Sequence, residues 1–250
     1  MALTKVKNLG LGTTDAQGNT LNGTTAGDSF SGTDANNNTL IGKDAGTAIT
    51  TGDENVAVGA DALTANTTGA GNTAVGYEAL SSNTQDKNTA VGWQAGKLNT
   101  SGIITAIGRR ALLNNTTGNY NTGVGFQAAS THTTGDNITA IGYNALQQNT
   151  TASNNTGCGY KALEANTTGT QNTAVGAEAL NTTTTGNQNS ALGVAALYSN
   201  TTGADNTALG RSALSANTTA SNNTAVGSSA LVANTTGTSN VAVGSYALDA

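Results

Sequence analysis

A repeat of 17 residues constrains the fold of this chain more than any other feature. Thirteen copies follow one another, and ten of the twelve spacings between equivalent glycines are 17 residues, while the other two are 16. The consensus of a copy is N-T-A-V-G-x-x-A-L-x-x-N-T-T-G-x-x. Tandem repeats of this kind are typical of solenoids, in which each copy forms one coil that stacks on its neighbours.

The columns of the repeat behave like structural positions. The residue before the glycine is apolar in every copy, the third residue after it is always alanine, and the next is usually leucine. These columns predict a structural core, represented in two copies by Val75, Ala79, Leu80, Val175, Ala179 and Leu180. Glycine and asparagine suit corners, because glycine adopts backbone angles that other residues avoid and asparagine tolerates left-handed geometry. The predicted corners in the same copies are Gly76, Gly176, Asn72 and Asn172.

Strands explain the repeat better than a helix. Asparagine, threonine and glycine at fixed places would interrupt a helix in every copy. Two short strands, N-T-A-V and A-L-x-x-N, joined by glycine turns fit the pattern, and stacked asparagines could bond from coil to coil. The sequence therefore predicts an all-β protein, a parallel β-solenoid or β-roll of thirteen coils over residues 38–250. Residues 1–37 match no copy cleanly and are predicted to form an N-terminal cap, attachment or joint segment.

One coil of this size encloses little apolar volume, so a lone chain would struggle to offset its backbone entropy. We therefore expect a homo-oligomer, with an intertwined or side-by-side homotrimer as the leading expectation, although the sequence does not fix the number of chains. The last copy stops in mid-coil, which leaves strand edges unpaired. This predicts end-to-end self-association or a capping protein there, unless the sequence is a piece of a longer chain.

Composition argues against several classes of function. Charged residues are 9% of the chain, the net charge is −5, and no stripe of Lys or Arg is present. Binding to nucleic acid is therefore not expected. No apolar run approaches the roughly 18 residues of a membrane span, so membrane insertion is not expected. The start, MALTKVKNLGLGTTD, lacks the apolar region of a secretory signal.

The sequence offers no constellation that would carry catalysis. The single histidine, His132, occupies a column that is usually asparagine and is predicted to be a tolerated corner residue. Cys158 replaces valine in the column predicted to face inward, and it has no second cysteine to pair with. No cofactor and no catalytic or metal site is predicted, and the protein is not expected to be an enzyme. A calcium ion near the Asp-rich beginning is an alternative; the residues are Asp28, Asp34, Asp44, Asp53 and Asp61.

The column just after the glycine becomes aromatic in the middle of the chain. Its aromatic members are Tyr77, Trp93, Phe126, Tyr143 and Tyr160. In stacked coils these residues should form a stripe, for which two interpretations stay open. The rings could stack on one another or pack at a seam between chains, or they could bind sugars of a host surface, because aromatic rings stack on sugars and Tyr and Trp also offer hydrogen-bond donors.

The repeat NTAVGYEALSSN at residues 72–83 resembles repeats of bacteriophage tail-fibre and other virion fibre proteins. Its core N-T-A-V-G-x-x-A is also similar to repeats in the heads of trimeric autotransporter adhesins, which form a left-handed β-roll. The resemblance implies a structural fibre of a virion, extracellular after release, that serves as a rigid spacer and as a host-surface adhesin. It also implies that a protein capping the C-terminal coil would be a virion protein.

Two other functions compete with the virion fibre. One is a self-assembling extracellular filament or bacterial adhesin built by end-to-end stacking of the same coils. The other is an ice-binding solenoid, but such faces usually show T-x-T along one strand. Here the threonines are mostly adjacent, as in N-T-T-G, which argues against ice binding.

Overall fold

A computed structural model of the chain describes residues 13–30 and 34–249. It divides the chain into two units, one ending at Tyr120 and the other beginning at Asn121. The described residues form strands, turns and bends, with no helix among them. Residues 1–12 and 31–33 of the predicted N-terminal segment lie outside the described residues.

The first unit contains seven short strands. They are β1 (Thr13–Thr14), β2 (Thr20–Asn22), β3 (Thr39–Ile41), β4 (Val56–Val58), β5 (Thr73–Val75), β6 (Thr89–Val91) and β7 (Ile104–Ile107). β1 pairs antiparallel with β2, and β2 to β7 then pair in parallel, each with the next along the chain. The parallel ladder thus begins at β2, one coil before the boundary predicted at residue 38.

The second unit contains eight strands. They are β8 (Asn121–Val124), β9 (Thr139–Ile141), β10 (Thr156–Cys158), β11 (Thr173–Val175), β12 (Ser190–Leu192), β13 (Thr207–Leu209), β14 (Thr224–Val226) and β15 (Val241–Val243). Each pairs in parallel with the next, and the pairing joins equivalent residues of neighbouring copies, as in Thr173 with Ser190. The predicted all-β parallel solenoid with coils of about 17 residues is confirmed.

The prediction of a second strand in each coil is wrong. The A-L-x-x-N segment lies in a succession of turns with left-handed residues, as at Leu80 (φ 49°) and at Glu78 (φ 53°) just before the segment. A strand needs extended backbone at every residue, and these angles exclude it. The turns still join neighbouring coils, because the Leu80 N–H donates to the Ala95 carbonyl at 3.0 Å.

The prediction that Val75 and Val175 belong to the core is also wrong. Along β5 the buried side chains are those of Asn72, just before the strand, and Ala74, whereas Thr73 and Val75 are half-buried on the other face. Val175 is likewise half-buried. Side chains of a strand alternate between its two faces. Since the asparagine column points inward to bond its neighbours, the valine column three residues later must point outward.

Alanine and leucine fill the interior of the coils. Ala79, Leu80, Ala179 and Leu180 have no exposed surface. Where glycine replaces the leucine, larger side chains occupy the freed volume. A Cβ added to Gly46 would lie 2.8 Å from Leu40 and 2.9 Å from Ile49, and Leu40 and Ile49 stand where other copies have alanine and asparagine. Such volume-conserving exchanges keep the core close-packed.

Two ladders of buried asparagines run through the coils. In one, the backbone N–H and the Nδ2 of Asn72 donate to Oδ1 of Asn55, at 3.0 and 3.1 Å. In the other, Asn115 Nδ2 donates to Asn99 Oδ1 at 2.8 Å. A buried polar group is tolerated best when it is hydrogen-bonded, and most rungs meet that condition through a neighbouring rung. The exceptions in the second ladder include Asn66 and Asn166, whose buried Oδ1 atoms have no partner.

The predicted corners divide into two cases. Asn72 and Asn172 are buried rungs of the first ladder and not left-handed residues; the residue before Asn172, Gln171, has the positive φ of 60°. The glycines do turn the chain. Gly76 has φ 137°, and a Cβ there would lie 2.3 Å from the Gly92 carbonyl oxygen; Gly176 (φ 133°) meets Gly193 in the same way. Neighbouring coils approach too closely at this column for any side chain.

Candidate functional site: two aromatic ladders and the outer strand face

The aromatic column forms a short ladder in the first unit. Tyr77 and Trp93 each follow the glycine that ends a strand, and the parallel register of β5 and β6 brings them side by side. Their ring centroids are 6.2 Å apart and their planes differ by 19°. The guanidinium carbons of Arg109 and Arg110 lie 4.9 and 5.2 Å from the Trp93 ring centroid, so a cation–π contact covers its second face.

A longer ladder lies in the second unit. Phe126, Tyr143 and Tyr160 stack in order, with centroid distances of 5.3 and 5.5 Å and interplanar angles of 7° and 17°. The Lys161 ammonium lies 5.7 Å from the Tyr160 ring centroid. The predicted stacking of the aromatic residues therefore occurs within each unit.

This stacking limits what the ladders can bind. A sugar ring usually packs on the flat face of an aromatic side chain. Both faces of Tyr143 are occupied by its neighbours, and both faces of Trp93 are covered by Tyr77 and the arginines. About half of the Tyr143 surface is nevertheless exposed, at 46%. The geometry leaves ring edges for contact and so favours the structural interpretation over sugar stacking.

A polar ladder flanks the aromatic one in the first unit. Gln94 Nε2 and Lys97 Nζ both donate to Glu78 Oε2, at 2.6 and 2.7 Å, and Arg110 Nε donates to Gln94 Oε1 at 3.3 Å. The hydrogen bonds from Lys97 and then Gln94 lower the pKa of the Glu78 carboxyl below its usual value. A carboxylate held in this way is a structural anion, not a proton donor at neutral pH.

The outer face of the strands is the second surface of interest. Because the valine column points outward, each unit presents a row of branched apolar side chains beside a row that is mostly threonine. In the first unit Ile107 is 40% exposed, and in the second Leu192 is 50% exposed. Cys158, predicted to face inward, lies half-buried in this outward row as a free thiol. Sequence reasoning missed this face because it took a constant apolar column to mean an inward one.

His132 was predicted to be a tolerated corner residue; the structure places it, fully buried, as a rung of the second asparagine ladder. Its Nε2 lies 2.8 Å from the Gly135 carbonyl oxygen and must therefore carry the proton, and Nδ1 accepts from Asn149 Nδ2 at 2.9 Å. Burial lowers the pKa of the imidazole, although the bond to Gly135 opposes this. Both nitrogens are occupied, which leaves no free base.

Acidic residues do not assemble into a metal site in the part of the chain that the structure describes. No group of three or more His, Cys, Asp or Glu side chains there could hold a metal ion. Of the predicted Asp cluster, Asp53 accepts a hydrogen bond from the Asn36 backbone at 2.7 Å, and Asp44 is paired with Lys43.

Comparisons with known proteins found no relative of this chain. No protein-family model, curated protein or solved structure matches the chain. Among the described residues no helix is long and apolar enough to cross a membrane.

Proposed function

We propose that this protein is a non-enzymatic structural fibre protein of a phage particle, and that its chains associate through the outer face of their strands. The observation that carries the proposal is the outward row of branched apolar side chains in both units. Ile41, Ile107, Ile141, Leu192 and Leu209 are each between 37% and 50% exposed in the single chain. Contiguous exposed apolar surface of this kind marks an interaction site.

A homotrimer is the assembly that we propose. The repeat places an apolar side chain of similar size at this position of every coil, so a parallel copy in register meets the row with an identical row. If three chains turn this face toward a common three-fold axis, each face is buried against the other two, and the assembly has closed cyclic symmetry. The alanines and leucines inside each coil are already buried and do not require a partner.

The role as a rigid spacer follows from how the coils are joined within each unit. Strand pairing and hydrogen bonds of the turn segments link successive coils directly, and the two asparagine ladders add further bonds in most coils. The location in a virion rests on the resemblance of the repeat to virion fibre repeats. Contact with a host surface is the further role that this resemblance implies.

The mass of the protein in solution tests the association. Light scattering on a size-exclusion column should give three times the chain mass of 24.5 kDa. Leu209→Lys should dissociate the trimer, because it places a charge in the apolar row. Thr219→Lys is the matched control, since Thr219 is exposed in a turn outside the strands. A monomeric wild-type protein would overturn the proposal, and very large species would favour the extracellular filament instead.

Ice binding is a second candidate, because one observation now favours it. The strand threonines, such as Thr73, Thr89 and Thr173, point outward at equivalent positions of successive coils beside the apolar row. The adjacent threonines of N-T-T-G lie in the turns, so they no longer argue against a threonine face. This function needs the face to be in water. A monomer that shows thermal hysteresis would support ice binding over the fibre.

A further inference from the structure

An open cleft of about 360 Å³ interrupts the surface of the second unit on the side of the turns. It is lined by Glu178, Ala195, Tyr198, Ser199, Ser212, Ser215 and Ala216. The cleft exists because side chains become small at two columns of the repeat. Ala195 and Ser212 follow Lys161 and Glu178 in one column, and Ser215 follows Tyr198 in another.

The polar side chains of the cleft differ from their neighbours in having no partner. One coil earlier, the Glu164 carboxylate accepts from Asn144, Asn181 and Lys161, at 3.2, 3.3 and 3.2 Å. In the described part of the second unit, no side-chain hydrogen bond engages Glu178, the Tyr198 hydroxyl or the three serine hydroxyls. All of their hydrogen-bonding capacity is available to a ligand.

We infer that this cleft binds an uncharged saccharide ring, with the Glu178 carboxylate and the Tyr198 side chain as its principal contacts. A carboxylate is an acceptor only and can take hydrogen bonds from two sugar hydroxyls. The serine hydroxyls both donate and accept, which suits the same kind of ligand. The inference deepens the proposed host contact and rests on it, but it moves the contact away from the aromatic ladders.

Tyr198 supplies what the stacked rings lack. It is 36% exposed, and no second ring stacks on it among the described residues. No stacked ring therefore competes with a sugar for its face, and its hydroxyl adds a hydrogen-bond donor to the lining of the cleft. Tyr143 is more exposed, but its faces are taken by Phe126 and Tyr160.

The lining disfavours other classes of ligand. A phosphate or carboxylate ligand would meet Glu178 with no cation among the lining residues. A metal ion would find one carboxylate where it needs several oxygen ligands. A purely apolar ligand would leave five polar groups without water or partner. A cationic amine is the remaining competitor, because a carboxylate beside an aromatic ring also suits an ammonium group.

Saturation-transfer NMR on the full chain tests the inference with a panel of methyl glycosides of glucose, galactose, mannose and rhamnose, N-acetylglucosamine, and choline as the cationic probe. At least one saccharide should bind to the wild-type protein. Glu178→Gln and Tyr198→Ala should each weaken that binding about tenfold or more, because each removes a strong contact. Tyr160→Ala is the matched control and should leave binding unchanged.

Three results would overturn the inference. These are no binding by any saccharide, binding of choline alone, and saccharide binding lost in Tyr160→Ala but kept in Tyr198→Ala. Circular dichroism of each variant shows whether the solenoid is intact, so that loss of binding is not loss of fold. Light scattering on the same samples separates the two proposals. A trimer that binds no saccharide would refute the saccharide site but leave the fibre proposal intact. A monomer that binds a saccharide would support the site and refute the trimeric fibre.

Discussion

Replacing Thr183 by asparagine should stabilise the second unit. Thr183 stands in a column where neighbouring copies have asparagine, and it interrupts the second ladder. Its hydroxyl and the Oδ1 of Asn166 are both buried and have no hydrogen-bond partner. At an intact rung, by contrast, Asn217 Nδ2 donates to Asn200 Oδ1 at 2.9 Å and to the Ala220 carbonyl at 3.0 Å.

The magnitude follows from the bonds that the substitution would restore. An asparagine at 183 would donate to Asn166 Oδ1 and to the Gly186 carbonyl, and its Oδ1 would accept from Asn200. Each buried hydrogen bond contributes about 1 kcal/mol net, and fixing a longer side chain offsets part of the gain. We expect Thr183→Asn to raise the free energy of unfolding by about 1–3 kcal/mol. The melting temperature should rise by about 2–4 °C for each kcal/mol.

Two matched variants make the test specific. Thr183→Val removes only the unpaired hydroxyl and should change stability less than Thr183→Asn does, because it restores no rung. Asn217→Thr creates the same interruption elsewhere and should destabilise by a similar amount to the gain. Urea denaturation followed by circular dichroism measures all three. If Thr183→Asn is no more stable than Thr183→Val, the ladder does not stabilise the coils as argued.

Three further perturbations have defined outcomes. Below about pH 6.5 the protein should lose up to about 1.4 kcal/mol of stability per pH unit, because the unfolded chain binds a proton that buried His132, with its lowered pKa, does not. In urea denaturation at several pH values, His132→Asn should remove this pH dependence of stability, and an equal dependence in both proteins would contradict the prediction. Gly76→Ala should prevent normal stacking of the coils, since its Cβ would lie 2.3 Å from a carbonyl oxygen. The Cβ of Gly71→Ala would have its nearest contact at 3.8 Å, so thermal melts should show a loss of only about 1–2 kcal/mol in the free energy of unfolding. Tyr143→Ala should lower stability by about 1–3 kcal/mol through two lost ring contacts and reduce the near-ultraviolet dichroism; an unchanged melting temperature would show that the ring stack adds nothing.

The sequence predicts the coil and its register well, because both depend on spacing. The glycine column marks the place where neighbouring backbones nearly touch, and that requirement repeats in every copy. Which face of the strand a column occupies depends on the parity of its position, and hydrophobicity alone does not reveal that parity. Asn72 and Ala74 share one parity and Val75 has the other. An asparagine in most copies, followed two residues later by an alanine in most copies, is the signal that a narrow, hydrogen-bonded interior lies on that side.

The turn segment was missed for a different reason. Leu80 and its equivalents adopt left-handed backbone, which leucine rarely does and which no propensity scale would suggest. Burial of the side chain and a hydrogen bond to the next coil hold it there. The copies that place glycine in this column, at Gly46 and Gly96, are the clue in the sequence, because glycine adopts positive φ without strain. The cleft at Glu178 depends on three columns at once and could not be recognised in any one of them.

The distribution of polar and apolar groups gives the fibre proposal its physical basis. Each coil keeps hydrogen-bonded asparagines inside and branched apolar side chains outside, so adding coils adds apolar surface that only another molecule can bury. A half-exposed Val or Ile gains about 1 kcal/mol on full burial. Association itself costs roughly 4–15 kcal/mol. Burial of the outward residues of a few coils could not offset that cost. The second unit has eight such residues, from Val124 to Val243, and their summed burial free energy falls within the range of the cost. Repetition of the coil then sets the stability of the assembly, because each further coil adds apolar surface to the interface between chains.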